Sequence, residues 1–181
     1  MRSTTRSGRA LRRRRDGEAG QSLVEFALVL TPLFLILLGI VQFGFIFNSY
    51  VTLANGTREA ARAGSIYVYT RTSTKAQNDA ARNAVIRTTL LNSLNGLKTS
   101  SPQLASGSTW TQSGTTFTNG DITITYTVPT GIADNDPRVG ETVTVKVKYH
   151  QDLLIPVISL LLPKDSGGRL ALTGEVTMTI N

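Results

Sequence analysis

Glu25 stands four residues after Gln21, five after Gly20, and directly before Phe26 to Phe47, a run of 22 residues without a charge. A carboxylate touching so apolar a stretch is costly unless it pairs or reaches water, so its position is by default a functional hypothesis. The spacing supplies a partner. Were the chain cut after Gly20, Gln21 would carry a free amine one helical turn before Glu25, and a carboxylate in a first turn is favoured by the helix dipole. The Glu25 of a neighbouring subunit in an assembly could satisfy the same amine.

Catalytic chemistry has little to work with. There is no Cys and one His in 181 residues, which excludes disulfides, thiolate zinc sites, Cys nucleophiles and histidine-pair metal sites. His150 closes a strand beside Lys148, with no Ser or acidic residue at a suggestive local spacing, and reads as a surface histidine. Asp134-Asn135-Asp136 with Gly140-Glu141 has an incomplete calcium-loop order and reads as a turn between strands. Asn55-Gly56-Thr57 fits a glycosylation acceptor, which has meaning only in a host that uses it. No phosphate-binding glycine loop is present. Neither an enzymatic activity nor a cofactor is expected.

Charge is unevenly placed. The net charge is +7, and residues 1 to 20 hold seven Arg against Asp16 and Glu18, so +5 of it lies in the first twenty residues. A nucleic-acid surface needs basic groups spread over a fold and interleaved with groups that read or stack on bases, so no nucleic-acid partner is expected.

The apolar run must position Glu25. As a helix its 22 residues would span roughly 33 Å, against a hydrocarbon core of about 30 Å. Sixteen of them are Leu, Ile, Val or Phe; at about −0.4 kcal/mol each, insertion gains roughly 6 kcal/mol, opposed by smaller terms from Thr31, Pro32, Gln42 and two glycines. A core helix of a soluble protein is usually shorter and would be strange beside an Arg-rich tail. A secretory signal has a shorter apolar region and a nearby small-x-small site, which Ala61-Arg62-Ala63 is too distant to provide. Arg12 to Arg15 precede the span and the first charge after it is Arg58, so the N-terminus stays cytoplasmic. Three segments follow: a basic cytoplasmic leader over 1–20, a processing site and membrane helix over 21–47, and an extracytoplasmic domain over 48–181. Pro32 removes the helix bond to the Leu28 carbonyl and can kink the span.

Gly20 followed by four residues and Glu25-Phe26 resembles the class III signal of type IV prepilins, cut on the cytoplasmic side of the apolar helix. The longer stretch Gly20-Gln21-Ser22-Leu23-Val24-Glu25-Phe26-Ala27-Leu28-Val29-Leu30-Thr31-Pro32-Leu33, continued by Arg58-Glu59-Ala60-Ala61-Arg62-Ala63-Gly64, is similar to TadE-like proteins, pilin-like components of the tight-adherence (Flp) pilus machinery. The resemblance implies Gly20 before the cut, Gln21 as the new N-terminus and Glu25 as the fifth mature residue. It also implies a prepilin peptidase, other pilin-like subunits, the assembly platform and membrane lipid as partners. Major pilins of that system are far shorter and commonly have Tyr after the Glu, so Phe26 and the long domain point to a minor component. The alternative is an unprocessed, single-pass anchored protein whose outer domain binds cell wall or another surface.

Helix formers continue through Ser65, extending the membrane helix outward. Arg58 and Arg62 share a face, with Glu59 placed to pair with Arg62; this face is solvated or forms an intersubunit contact. A second helix is expected over 75–95, with Ala76, Ala80 and Ala84 beside a stripe of Ile86, Leu90 and Leu94, and Gly96 as its stop. Residues 98–120 hold 14 Ser, Thr or Gly in 23 and read as an exposed loop, with a hairpin turn at Asn119-Gly120. Period-two patterns then mark strands over 122–128, 143–149 and 170–180, the last with Gly174 as a bulge. Leu153 to Pro163 is too short to cross a bilayer and is expected to be buried against the sheet rather than rest on a membrane. The fold class is α+β, with helices packed on an antiparallel sheet in a pilin-like manner.

Overall fold

A computed structural model describes residues 9–67, 69–101, 104, 109–132, 138–155 and 159–181, with side chains described from Gly20 onward. Its helices are α1 (Arg9–Ser65), α2 (Lys75–Ser93) and α3 (Leu97–Ser100). Its strands are β1 (Thr111–Ser113), β2 (Thr116–Asn119), β3 (Ile122–Thr127), β4 (Thr142–Gln151) and β5 (Leu170–Thr179). Two units separate, Met1–Phe43 and Gly44–Asn181.

The first unit is helical where it is described. Its apolar side chains stand uncovered: Leu23 is 70 % exposed, Phe26 64 %, Val29 69 % and Ile40 65 %. The α1 stretch Gly20–Ser65 has a window of mean hydropathy 2.5 with none of that window buried. It is long and apolar enough to cross a membrane, and a helix is the form in which a single segment satisfies its own backbone polar groups in lipid. Pro32 lies inside the helix. Beside it the Thr31 hydroxyl donates to the Ala27 carbonyl at 2.8 Å, where proline leaves the ladder one donor short.

The second unit is the α+β domain expected. Five antiparallel strands lie in sequence order, β1-β2-β3-β4-β5. Alternation of β-branched and polar residues decides which face is covered. Ile122, Ile124 and Tyr126 of β3 and Val143, Val145, Val147 and Tyr149 of β4 point into one core, joined by Leu53, Ala60 and Ala61 of α1 and by Ile86 and Leu90 of α2. The outer end of α1 runs beside β5. The Ser49 hydroxyl donates to Gln151 Oε1 at one end of the sheet, and the Asn181 N–H donates to the Ser65 carbonyl at the other.

Glycine sets the depth of this packing. A Cβ on Gly64 would fall 2.6 Å from Ile86 Cδ1, and one on Gly56 3.2 Å from Leu94 Cδ2. With Ala60 between them at i+4, these residues form a stripe of small side chains on α1 that lets α2 approach closely. Gly174 plays the same part for the sheet, since a Cβ there would meet Thr57 Oγ1 at 2.7 Å. It pairs with Val147 in an unbroken β4–β5 register, so the expected bulge is replaced by a close helix–strand approach.

Four other expectations are corrected. The segment read as an exposed loop supplies α3, β1 and β2, and Leu104 is fully buried within it; threonines satisfy strand pairing while offering little apolar area. The hairpin is present, with Asn119 opposite Ile122 and Gly120 at φ 59. Helix α2 is closed by Asn95 in the left-handed region at φ 47 rather than by Gly96. Ala76, Ala80 and Ala84 face outward, and the inward face of the first half of α2 is polar: Asn78, Asp79, Arg82 and Asn83. Finally, the apolar segment 153–163 is not buried where it is described: Leu154 is 65 % exposed, Leu160 78 % and Leu161 83 %.

Gly64→Val is expected to destabilise the domain by about 1–3 kcal/mol through overpacking against Ile86. Thermal unfolding of the detergent-solubilised chain, followed by near-UV circular dichroism, measures this, and an unchanged midpoint would contradict the packing described.

Candidate functional site

Gly20, Gln21, Glu25 and Phe26 lie on one uninterrupted stretch of α1. The helical period brings Gln21 and Glu25 together: the Gln21 side-chain amide donates to Glu25 Oε1 at 3.0 Å. Phe26, on the next position, is exposed. A Cβ at Gly20 would meet nothing within 4 Å. Glycine inside a helix costs about 1 kcal/mol relative to alanine, and among the described residues no close approach calls for it at this position.

Arg58, Glu59 and Arg62 are all exposed on α1. Glu59 Oε2 accepts a hydrogen bond from the Ser93 hydroxyl of α2 at 3.2 Å. The pattern Arg-Glu-Ala-Ala-Arg therefore has a local use: the alanines enter the core and the glutamate clips α2 at its C-terminal end.

His150 departs from its expected isolation. Its side chain is 16 % exposed, with Nε2 3.2 Å from Asp121 Oδ2 and Nδ1 2.5 Å from Asp165 Oδ2. The carboxylates come from the β2–β3 turn and from the β4–β5 connection, which local spacing could not reveal. The Asp165 carboxyl is held below its ordinary range by the Arg169 backbone N–H, with His150 and the Gly167 N–H adding to it. Among the described residues no group of His, Asp and Glu is arranged to hold a metal ion. The Asp134-Asn135-Asp136 segment lies outside the described residues, while Glu141 is committed elsewhere.

That commitment is a buried ionic cluster that sequence reading missed. Arg138 donates from Nε to Asp79 Oδ1 at 2.7 Å, from Nη2 to Asp79 Oδ2 at 2.8 Å, and from Nη1 to Glu141 Oε2. Its guanidinium lies 4.3 Å from the Tyr126 ring centroid, and that of Arg82 lies 5.2 Å from Tyr67. Burial would lower the Arg138 pKa, but its bonds to Asp79 and Glu141 raise it above the ordinary value. Burial pushes the Tyr126 hydroxyl up, and that hydroxyl donates to Asn83 Oδ1 at 2.6 Å. Arg138 adopts φ 64, a region costly for a non-glycine residue and held here by the fork of charged bonds. With two arginines against two carboxylates and no nucleophile among them, the cluster ties α2 to the β3–β4 connection. The only hint in the sequence was polar residues at helical spacing on α2.

With this geometry in place, the family comparison has a structural meaning. The model of the family described as TadE-like protein matches residues 20–62, the stretch that opens with the residues on which the sequence resemblance rests. No curated protein and no solved structure matches the chain at a significant level. The matched segment lies wholly within α1, from the candidate cleavage glycine to the residues that seat α2. The family marks a structural component associated with the tight-adherence (Tad) pilus.

Arg138→Met would leave Asp79 and Glu141 buried without their shared cation and is expected to cost about 3–5 kcal/mol, read as a lower thermal midpoint. The raised Tyr126 pKa means the folded state favours the neutral phenol. Its contribution is complete below about pH 10, the unfolded tyrosine's value, and declines as pH rises beyond it. Denaturation at about pH 8 and about pH 11 should show this alkaline loss, reduced in Tyr126→Phe; equal losses in both proteins would exclude Tyr126 as the cause.

Proposed function

We infer that this chain is a minor pilin or pseudopilin of a tight-adherence pilus. It enters the cytoplasmic membrane with its arginine-rich N-terminus inside, is cut after Gly20 by a prepilin peptidase, and joins the filament or its base through the exposed apolar helix. The observation that carries this reading is the conjunction at Gly20 to Phe26. A helix-disfavouring glycine with empty space around it precedes a carboxylate that adjoins an uncovered apolar helix. Glycine leaves the backbone at this position open to a partner that must reach the peptide bond there.

Removal of the leader separates Arg12 to Arg15 from the span and creates an amine at Gln21 within reach of a Glu25 carboxylate, on the same chain or on a neighbour. Charge neutralisation lowers the cost of moving that end of the helix away from the headgroups into an assembly. The exposed apolar face of α1 supplies the packing surface, since close helix contacts replace lipid contacts in such an assembly.

Mass spectrometry of the protein from cells with an active prepilin peptidase should show loss of the first twenty residues, and Gly20→Leu should retain them. A full-length N-terminus in the unsubstituted protein would overturn the processing step and favour a permanently anchored protein. Glu25→Ala should leave membrane insertion intact while reducing incorporation into pili, measured by shearing and immunoblotting; undiminished incorporation would remove the pairing role of Glu25.

A further inference from the structure

The connection from β4 to β5 carries three exposed leucines, and its place in the fold identifies what they meet. Gln151 at the end of β4 pairs with Leu170 at the start of β5, and the Gln151 side chain accepts from Ser49. Ser49 is two residues beyond Phe47, where the apolar run of α1 stops. The connection therefore leaves the sheet at the end of the domain where α1 arrives from its apolar stretch. The opposite end, marked by Asn181 beside Ser65, carries the buried Arg138 cluster.

We propose that Leu160 and Leu161, with Leu154, seat in the outer interfacial layer of the membrane that α1 enters, giving the domain a second lipid contact besides its helix. This rests on the reading of α1 as a membrane span. Two leucines exposed at 78 % and 83 % at the water-facing end would be an aggregation liability, but at the bilayer surface they transfer apolar area out of water. The same end of α1 presents Phe45, Phe47 and Tyr50, each about half exposed, so the apolar run gives way to a tyrosine, a side-chain type that collects at headgroup level. The return arm of the connection is fixed. Asp165 accepts from the Gly167 and Arg169 backbone N–H groups at 2.9 and 2.8 Å and meets His150 on β4. The leucines are thus held on an anchored arm, and Lys164 beside Asp165 is exposed for contact with acidic headgroups.

The absence of native cysteine permits single-site labelling of the full chain, reconstituted into phosphatidylcholine–phosphatidylglycerol vesicles. An environment-sensitive fluorophore is placed on Leu161→Cys, on Ile36→Cys within the span, or on Val139→Cys at the opposite end of the domain. Spin-labelled lipids then report depth. The Leu161 label is expected to emit at shorter wavelength than the Val139 label and to lose most of its emission to quenchers near the headgroups. The Ile36 label should respond to quenchers deep in the acyl region. Quenching at Ile36 with a Leu161 label as accessible to water as Val139 would overturn the leucine contact and leave the span standing. Absence of quenching at Ile36 would overturn the span and this inference with it. A Leu161 label shielded from water yet insensitive to lipid quenchers, with shielding lost on dilution, would assign the leucines to a second copy of the chain and overturn the lipid contact.

Discussion

One helix has to satisfy two solvents. Over its first part α1 carries leucine, phenylalanine, isoleucine and valine on every side, and Leu23 to Ile40 leave them uncovered. From Leu53 onward the same helix has a wet side with Arg58, Glu59 and Arg62 and a dry side with Leu53, Ala60 and Ala61, each fully buried. The backbone ladder is indifferent to this change because its hydrogen bonds are internal to the segment. Side-chain size carries the difference. Large apolar groups suit an environment with no fixed shape, whereas the stripe Gly56, Ala60 and Gly64 suits a neighbour at fixed distance. The domain is built on that stripe, since Ile86 and Leu94 occupy the space that larger side chains would fill.

The two ends of the second unit are held by different physics. At the end near Ser65, Arg138 gathers Asp79 and Glu141 into a desolvated, charge-paired cluster against the Tyr126 ring. Such clusters contribute less net stability than apolar packing of equal volume, because the charges have lost their hydration. They do constrain geometry, and a left-handed arginine at φ 64 is the local sign of that constraint. At the end near Ser49 the ties are hydrogen bonds at partly exposed sites, Ser49 to Gln151 and His150 to Asp165, with apolar side chains left facing outward.

The TadE-like match ends at residue 62, two residues before Gly64, where α1 still packs against Ile86 of α2. The family match thus covers the stretch of α1 long and apolar enough to cross a membrane and the first residues that enter the domain's core. The rest of the sheet is specified by this chain's own strands.

Much of this was determined by the sequence alone. The uncharged run of 22 residues, the Gln21–Glu25 spacing, the helix expected over 75–95 and found over Lys75–Ser93, and the alternation in β3, β4 and β5 are local regularities that read directly as period, length or charge. Only the tertiary structure decided what depends on residues distant in sequence. Gly174 has no local signature that separates a bulge from a close approach; Thr57, 117 positions earlier, makes it the latter. Asp79, Arg138 and Glu141 look like surface residues until the fold removes water from all three together, and His150 meets its aspartates only when two turns converge. The leucines at 160 and 161 show the converse, because hydrophobicity states a preference for leaving water, while the fold decides whether protein is there to receive them.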